Sequence, residues 1–294
     1  MLLSIIIPVF FGEEIFEKCL ETLTKSAKGV IGRDWEILVL NNGFEPKRFQ
    51  ELKETYSQIK FFNKGENLGF AKGNNFLWRK SRGKYVLMIN QDVFITKKNI
   101  EKLTWFLEKN SKYACVAPKL ILENGEAQFS CRPFPTGFWF LIADFFNRGQ
   151  KYRRFYSPFK SQEVEQPMAS CLLWRRKNLK KLKGFDEHPH FFLYFNDVDL
   201  SYRLSQMKGR SYFLTSAEAT HLHGQSALLL KELKRLSLWY KGLGRFWFKM
   251  NDHFFWAYFR SFWVTFLLSL IKTGQFLVSK FFLLKSKKRN KVKE

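Results

Sequence analysis

The first 120 residues alternate between short apolar runs and amphipathic stretches, and this alternation constrains the fold more than any other feature of the chain. Residues 4–10 (SIIIPVF), 35–43 (WEILVLNNG) and 84–93 (KYVLMINQDV) are apolar and bounded by turn residues, which is typical of buried strands. Residues 13–27 and 99–110 carry apolar side chains at helical spacing. Strands that alternate with helices predict an α/β fold, with a mostly parallel sheet flanked by helices.

Two of the predicted strands end in polar residues. Asn41-Asn42-Gly43 follows one of them, and Asn90-Gln91-Asp92 follows another. In open α/β sheets, ligands bind in the crevice beyond the carboxyl ends of the strands. We therefore expect these two segments to line one binding crevice.

Cysteine usage and the start of the chain give no sign of secretion. The four cysteines contain no C-x-x-C pair, so they indicate neither a zinc site nor a disulfide framework, and a reducing compartment is expected. The apolar run at the N-terminus stops at Pro8 and lacks a preceding basic region. A cleaved signal peptide is therefore not predicted.

The positive charge is concentrated near the C-terminus. The net charge is +24, and residues 228–294 hold 15 Lys and Arg against 3 Asp and Glu, which is half of the excess. A basic surface suits either nucleic acid or anionic lipid. Because these charges lie beside apolar residues and no nucleic-acid-binding motif is present, we expect an anionic membrane surface and no nucleic acid as partner.

Six fragments in fixed order resemble family 2 glycosyltransferases of the GT-A (Rossmann-like) fold, in particular the rhamnosyltransferase-like branch. The resemblance runs from about residue 2 to about residue 226. The fragments are SIIIPVF, EILVLNNG, ENLGFAKGNN, YVLMINQDV, GFDEHPHFFLYFNDVDLSYRL and HLHGQS. It implies transfer of a sugar from a nucleotide-diphosphate sugar.

The resemblance implies a divalent cation, Mg²⁺ or Mn²⁺. The family's aspartate motif corresponds to residues 90–92, and Asp92 is a hard oxygen ligand of the kind these ions prefer. A histidine of HLHGQS is the second predicted metal ligand, with His221 favoured over His223. The other interpretations are a polar strand end that caps a turn and a structural histidine. Asn90 stands where many relatives carry an acid.

The resemblance also implies a nucleotide-sugar site at the strand ends. Asn41 and Asn42 match positions where relatives carry aspartate, so the choice between dTDP- and UDP-sugars stays open. These asparagines also fit a simple Asn-Gly turn, and Asn67 fits a helix cap. The predicted nucleotide-sugar-binding residues are Pro8, Phe10, Asn41, Asn42, Asn67, Gly69, Asn75, Asn90 and Asp92.

The segment FNDVDL resembles the family's acidic motif, whose aspartate deprotonates the acceptor. Asp197 is retained at that position, while Asn196 replaces an acid. We therefore predict Asp197 as the general base, with its pKa raised by the aromatic run before it. Asp199 is interpreted as a structural charge at a helix start, paired with Arg203 at i+4.

Two further residues are predicted on the acceptor side. Asp186, in the GFDE segment, is a candidate ligand for sugar hydroxyls, and Trp174 is a candidate stacking surface. The irregular, aromatic and basic segment 130–166 is interpreted as an excursion that is either mobile or on the acceptor side.

The pattern of the C-terminal residues predicts a basic aromatic helical tail. We predict a glycosyltransferase domain at 1–226 and an amphipathic tail at 227–294 that associates with the membrane. The longest uncharged run, 261–271, is too short to span a bilayer. A core-packing helix with a disordered basic end is one alternative, and a single tilted span is another.

The leading hypothesis is an inverting, metal-dependent hexosyltransferase, peripheral on the cytoplasmic face of the membrane. A lipid-linked saccharide acceptor in cell-surface polysaccharide synthesis would account for the amphipathic tail. Two alternatives are a non-catalytic GT-A relative, because asparagine replaces acids at positions 41, 90 and 196, and a basic nucleic-acid-binding protein.

Overall fold

The structure is a computed structural model, and it describes residues 1–10, 12–135, 156–222, 232–250 and residue 270. The N-terminal half alternates strictly between strands and helices. Its elements are β1 (Leu3–Val9), α1 (Glu13–Ser26), β2 (Trp35–Asn41), α2 (Pro46–Thr55), β3 (Lys60–Asn63), α3 (Gly69–Lys80) and β4 (Tyr85–Ile89).

The second half has shorter strands and a less regular order. Its elements are β5 (Val93–Phe94), α4 (Lys97–Lys109), β6 (Tyr113–Ile121), β7 (Ala127–Gln128), β8 (Cys131–Arg132), β9 (Gln162–Val164), β10 (Gln166–Pro167), β11 (Cys171–Arg175), α5 (Arg176–Leu182), a 3-10 turn (Pro189–Phe191), α6 (Asn196–Gln206), β12 (Arg210–His221) and α7 (Glu232–Met250).

One large sheet runs through the described residues in the order β3-β2-β1-β4-β11-β6-β12-β5. The first four strands are parallel, with Ile5 opposite Ile37 on one side and Leu87 on the other. β11 then enters antiparallel between β4 and β6, and β6 and β12 are again parallel. The predicted α/β GT-A fold is confirmed.

The apolar runs of the central strands follow from burial on both faces of the sheet. Successive side chains of a strand point to opposite faces, so a strand covered on both sides must be apolar throughout. Ile5 belongs to the core that includes Phe16 of α1, while Ile6 belongs to the core that includes Leu77 of α3. Two hydrophobic cores therefore sandwich the sheet and fix the positions of the strand ends.

A third core joins the C-terminal helix to the domain. Leu243 and Phe246 of α7 are buried against residues of the 3-10 turn and α6, and the whole cluster comprises Phe191, Phe195, Val198, Leu243 and Phe246. Gly242 allows this close approach, because a Cβ there would lie 2.9 Å from the Phe195 ring. The beginning of the predicted tail is thus a helix packed on the domain, which is the core-packing alternative for this stretch.

Several predictions fall on residues outside the described part of the chain. They concern His223, most of the excursion at 130–166, and the amphipathic pattern after residue 250 apart from Leu270. Among the helices that the structure does describe, none is both long enough and apolar enough to cross a membrane.

Candidate active site

Asp92 and His221 lie together beyond the end of β4. Asp92 follows that strand by three residues, and His221 ends β12, where it is opposite Val93 of β5. The short β5–β12 pairing therefore carries the histidine to the aspartate. His221 Nε2 lies 3.6 Å from Asp92 Oδ1, and both side chains are buried.

One oxygen of the Asp92 carboxylate is buried without a hydrogen-bond partner among the described residues. That oxygen is Oδ1, and the residue is 4% exposed. Burial raises the pKa of Asp92 to about 6. A buried, unpartnered carboxylate oxygen is costly unless a cation compensates it. Asp92 is therefore suited to hold a cation.

Gln128 orients the His221 ring toward Asp92. Gln128 Oε1, which can only accept, lies 2.7 Å from His221 Nδ1, so Nδ1 carries the proton and donates. The neutral ring then presents the lone pair of Nε2 to the Asp92 side, as metal-binding histidines do. The pair fits a divalent cation. The described residues contain no cluster of three or more His, Cys, Asp or Glu side chains that could hold a metal.

Asp197 is held beside the same strand end through a short chain of backbone contacts. The Asn90 N–H donates to Ser170 O at 2.9 Å. The neighbouring Ala169 N–H lies 3.4 Å from Asp197 Oδ2. The candidate base and the candidate metal ligand Asp92 are thus both tied to the end of β4.

The start of α6 sets the environment of Asp197. Phe195 precedes the helix with a φ of 64°, and the Val198 N–H donates to Asp197 Oδ1 at 2.9 Å. Burial raises the pKa of Asp197, while the positive charge of Arg132 acts in the opposite direction. A raised pKa is what a carboxylate needs to accept a proton near neutral pH.

Asp199 is a structural carboxylate, and its predicted ion pair is confirmed. Arg203 Nε donates to Asp199 Oδ2 at 2.8 Å, and Lys249 of α7 donates to Oδ1. Arg203 also donates to the carbonyls of Leu182 and Gly184. Asp199 is only 1% exposed, so these two cations compensate a carboxylate that water does not reach.

The predicted nucleotide-binding asparagines after β2 are engaged within their own loops. Asn41 Oδ1 accepts from the N–H groups of Gly43 and Phe44, which closes an Asn-type turn. Asn42 accepts from Leu68 N–H at 2.6 Å and donates to Gly69 O, so it ties β2 to the start of α3. A direct contact with a nucleotide base stays a prediction.

The three predicted residues of the ENLGFAKGNN segment lie around α3. Asn67 is exposed and caps the turn by accepting from Gly69 N–H at 2.8 Å. Gly69 has a φ of 73°, and a Cβ there would lie 2.8 Å from the Phe192 ring. Asn75 is fully buried and makes four hydrogen bonds, to Phe185 N–H and O, Trp78 Nε1 and Glu187. Those bonds use the whole capacity of its amide, and its role at the donor sugar stays a prediction.

The ends of β1 and β4 meet through Gln91. Gln91 Oε1 accepts from Phe10 N–H at 2.6 Å. Pro8 and Phe10 are partly exposed at the end of β1, and Asn90 is partly exposed at the end of β4. The structure therefore brings these three predicted residues to one edge of the sheet, next to Asp92.

The two predicted acceptor-side residues have different outcomes. Trp174 is 0% exposed in the middle of β11, so it cannot stack on an acceptor and that prediction is wrong. Strand alternation directs its ring into the core beneath α3. Asp186 is half-buried and accepts from His188 N–H at 2.9 Å and Lys249 Nζ at 3.0 Å. Burial raises the pKa of Asp186, but these contacts and Arg245 outweigh it and hold the pKa below its usual value.

Four residues that the sequence predictions did not include shape the site. Gln91 lies within the predicted metal-binding segment 90–92, but that motif predicts a role only for its neighbours and not the hydrogen bond that Gln91 accepts from Phe10 N–H. Gln128 and Arg132 come from two-residue strands and Lys249 from the end of α7, and all three are distant in sequence from the residues that they contact or act on. Only the charge of Arg132 and Lys249 within aromatic segments could have pointed to them.

Unpartnered polar atoms cluster near the strand ends. Both polar atoms of the Asn196 amide and the hydroxyls of Ser130 and Ser170 are buried and accept or donate no hydrogen bond among the described residues. Asn196 precedes Asp197, and Ser170 contacts the end of β4. Asp197, the candidate base, therefore lies near polar groups that are able to bind hydroxyls.

Two solved structures that are similar in fold were solved with a nucleotide or nucleotide sugar and Mn²⁺. GalNAc-T7, solved with UDP, GalNAc and Mn²⁺, matches with a TM-score of 0.56 at 13% identity over 75% of this chain and 44% of its own. The mannosyltransferase PcManGT of Pyrobaculum calidifontis, solved with GDP-Man and Mn²⁺, matches with a TM-score of 0.55 at 14% identity over 86% of this chain and 64% of its own. These similarities show the fold.

Sequence comparison gives the family. Residues 4–202 match the family model described as glycosyl transferase family 2, and the chain belongs to that family. A curated relative in Mycobacterium tuberculosis, N-acetylglucosaminyl-diphospho-decaprenol L-rhamnosyltransferase, is 25% identical over 69% of this chain and 71% of its own. Rhamnosyltransferase WbbL of Escherichia coli is 24% identical over 71% of this chain and 79% of its own. The predicted resemblance to the rhamnosyltransferase-like branch is confirmed.

Proposed function

We propose that the protein transfers a hexose from a nucleotide-diphosphate sugar, dTDP- or UDP-linked, to a saccharide acceptor with inversion at the anomeric carbon. One observation carries the proposal. The buried pair of Asp92 and His221 and the carboxylate of Asp197 are all tied to the end of β4. Leaving-group stabilisation and proton removal therefore have separate groups at one site.

Asp92 and His221 would hold a divalent cation, Mg²⁺ or Mn²⁺. When bound, such a cation supplies charge neutralisation for the diphosphate leaving group. Gln128 fixes the ring of His221, and the unpartnered Oδ1 of Asp92 offers a hard ligand. The Mn²⁺ in the two solved structures of this fold supports the assignment.

Asp197 would act as the general base. Direct displacement at the anomeric carbon needs one group to accept the proton of the acceptor hydroxyl and no covalent nucleophile. Burial gives Asp197 a raised pKa, and its Oδ2 lies 3.4 Å from Ala169 N–H, while a carboxylate oxygen can accept more than one hydrogen bond. That oxygen therefore has the capacity to accept a hydrogen bond from a hydroxyl group.

The acceptor we propose is a lipid-linked saccharide in the synthesis of cell-surface polysaccharide. The name of the mycobacterial relative specifies a decaprenol-diphosphate acceptor and L-rhamnose transfer. The basic C-terminal region would place the enzyme peripherally on the cytoplasmic face of the membrane, where polyprenol-linked acceptors and soluble nucleotide sugars meet. Lys234 and Lys241 project from α7 as exposed charges.

A donor screen followed by matched variants tests the proposal. Thermal shifts with UDP-, dTDP- and GDP-sugars, each with and without Mn²⁺, should single out one nucleotide, because selective binding stabilises the folded state. Asp197→Asn should then abolish transfer while donor binding persists, and Asp92→Asn should abolish the Mn²⁺-dependent part of the shift. Asp34→Asn, at the surface, is the control. Transfer that survives Asp197→Asn would refute the base assignment.

A further inference from the structure

Two basic segments that are distant in sequence meet at the edge of the sheet opposite the candidate active site. Residues 82–84 precede β4, and residues 175–180 span the end of β11 and the start of α5. Antiparallel pairing places Arg175 opposite Tyr85, and the Arg176 N–H donates to Lys84 O at 3.0 Å. The sheet register therefore assembles one strongly basic surface from both segments.

This surface forms a groove of about 370 Å³, which we call the basic groove. Six of its eight lining residues are arginine or lysine and none is acidic. The lining consists of Arg82, Gly83, Lys84, Tyr85, Arg175, Arg176, Lys177 and Lys180. A concave site with so many positive charges and no carboxylate favours an anion.

The carboxylates nearest to the groove compensate only part of its charge. Glu108 pairs with Lys84 at 2.6 Å, and Glu36 pairs with Lys60 while it accepts from the Arg82 backbone N–H. Across the described part of the chain, no ion pair joins a carboxylate to the side chains of Arg82, Arg176, Lys177 or Lys180. Four positive charges thus face the groove without an acidic partner.

Two of the arginines that line the groove have buried guanidinium atoms. Arg175 is 8% exposed and donates to neutral acceptors, namely the carbonyls of Tyr113, Leu107 and Asn110 and the hydroxyl of Tyr85. Neutral acceptors thus hold the guanidinium in place, and the carboxylate that its charge acts on is Glu108, the partner of Lys84. The Nε of Arg176 is buried and has no hydrogen-bond partner among the described residues. An unpartnered guanidinium N–H in a basic concavity calls for an acceptor.

We propose that the basic groove binds a phosphate group, separately from the donor site. Guanidinium groups bind phosphate oxygens through paired N–H donors, and the lysines add point charges. A groove of this size suits the phosphate or diphosphate of a small molecule or a lipid headgroup, rather than the extended backbone of a nucleic acid.

The basic groove and the candidate active site are separated by the length of β4. The groove includes Tyr85 at the start of the strand, while Asp92 lies past its end. Five residues of strand span roughly 16 Å. A ligand in the groove would therefore not displace a nucleotide at the strand ends.

Pyrophosphate titration in EDTA, with the full chain, tests the proposal without a metal at the donor site. The Arg176→Gln/Lys177→Gln/Lys180→Gln triple variant should weaken pyrophosphate binding by about tenfold or more, because charge-assisted hydrogen bonds are lost. The matched control, Lys28→Gln/Lys53→Gln/Lys98→Gln, carries the same net charge and should bind within about twofold of the parent. If the first triple unfolds, Lys177→Gln/Lys180→Gln changes only exposed side chains.

Vesicle flotation distinguishes the two sources of phosphate. If the groove holds lipid headgroups, the triple variant should also float less with phosphatidylglycerol vesicles than its control. If it holds a soluble phosphate compound, flotation should be equal for the two variants while pyrophosphate binding still differs. Equal pyrophosphate binding by both triples would overturn the proposal, and so would tight binding of a single-stranded RNA lost only in the first triple.

Discussion

Lys249 donates to Asp199, two residues after the candidate base Asp197, and its ammonium also lies 3.0 Å from Asp186. One cation of the C-terminal helix thus joins the first turn of α6 to the 184–187 loop. Asp186 precedes the aromatic segment that leads to Asp197, and Asp199 follows it. We therefore expect the position of the candidate base to depend on a side chain about 50 residues further along the chain.

Replacing Lys249 by methionine should destabilise the protein and slow transfer. The change leaves the buried Asp199 carboxylate with Arg203 alone, which should lower the free energy of unfolding by about 3 kcal/mol. Urea denaturation and steady-state kinetics would measure both effects, with kcat falling more than KM rises. Lys249→Arg should restore most of the rate. Lys98→Met, exposed on α4, should leave stability and rate unchanged; an equal loss there would contradict the assignment.

Replacing Asp92 by asparagine should stabilise the metal-free protein at pH 8. Burial raises the pKa of Asp92 to about 6, so ionising it costs folding energy as pH rises from the unfolded pKa through the folded one. The gain should reach about 3 kcal/mol above pH 6 and vanish near pH 4. Thermal melts in EDTA at the two pH values would show it. A gain that does not depend on pH would contradict the origin proposed here.

The acidic limb of the rate profile should move when Arg132 is replaced by glutamine. Burial raises the pKa of Asp197 and the charge of Arg132 lowers it, so removing that charge raises the pKa further. The pH at which kcat/KM falls to half should therefore increase. Arg33→Gln, on the surface, serves as the control. If the acidic side of the kcat/KM profile did not move, Arg132 would not act on the pKa of the group that limits the rate.

Gly184→Ala should destabilise the protein far more than Gly125→Ala. Both glycines have positive φ, so each substitution carries a backbone cost of about 1–2 kcal/mol. At Gly184 a Cβ would also lie 2.2 Å from Asn75 Oδ1 and 2.4 Å from Trp78 Nε1, whereas at Gly125 it meets nothing within 4 Å. Overpacking should add about 1–3 kcal/mol at Gly184. Equal unfolding free energies of the two variants in urea would contradict this prediction, because they would show that Asn75 and Trp78 move aside without a measurable cost.

The parallel half of the sheet could be predicted from the sequence because strands that are buried on both faces are uninterrupted apolar runs. The strands around Ile5, Ile37 and Leu87 are apolar throughout, and turn residues bound them. Asp92, His221 and the Asp199–Arg203 pair were also predictable, because motif position or helical spacing specifies them. These features depend on short-range patterns.

The missed features depend on contacts between distant segments. Trp174 looked available for stacking, and only the antiparallel insertion of β11 between β4 and β6 shows that its ring is buried. Gln128 reaches His221 across 93 positions of sequence. Such partners are set by sheet register, which no local periodicity encodes.

The left-handed backbone of Phe195 limits where the chain can be truncated, because α7 packs against this residue. A residue with a Cβ adopts that conformation at a cost, and the Phe195 ring is held 5.3 Å from Trp239 and 6.3 Å from Phe246, both on α7. Cutting the chain at residue 226 would remove both rings and let the backbone before Asp197 relax. The smallest active fragment should therefore extend through Met250, and a truncation that tests the proposed membrane binding has to be made beyond that residue.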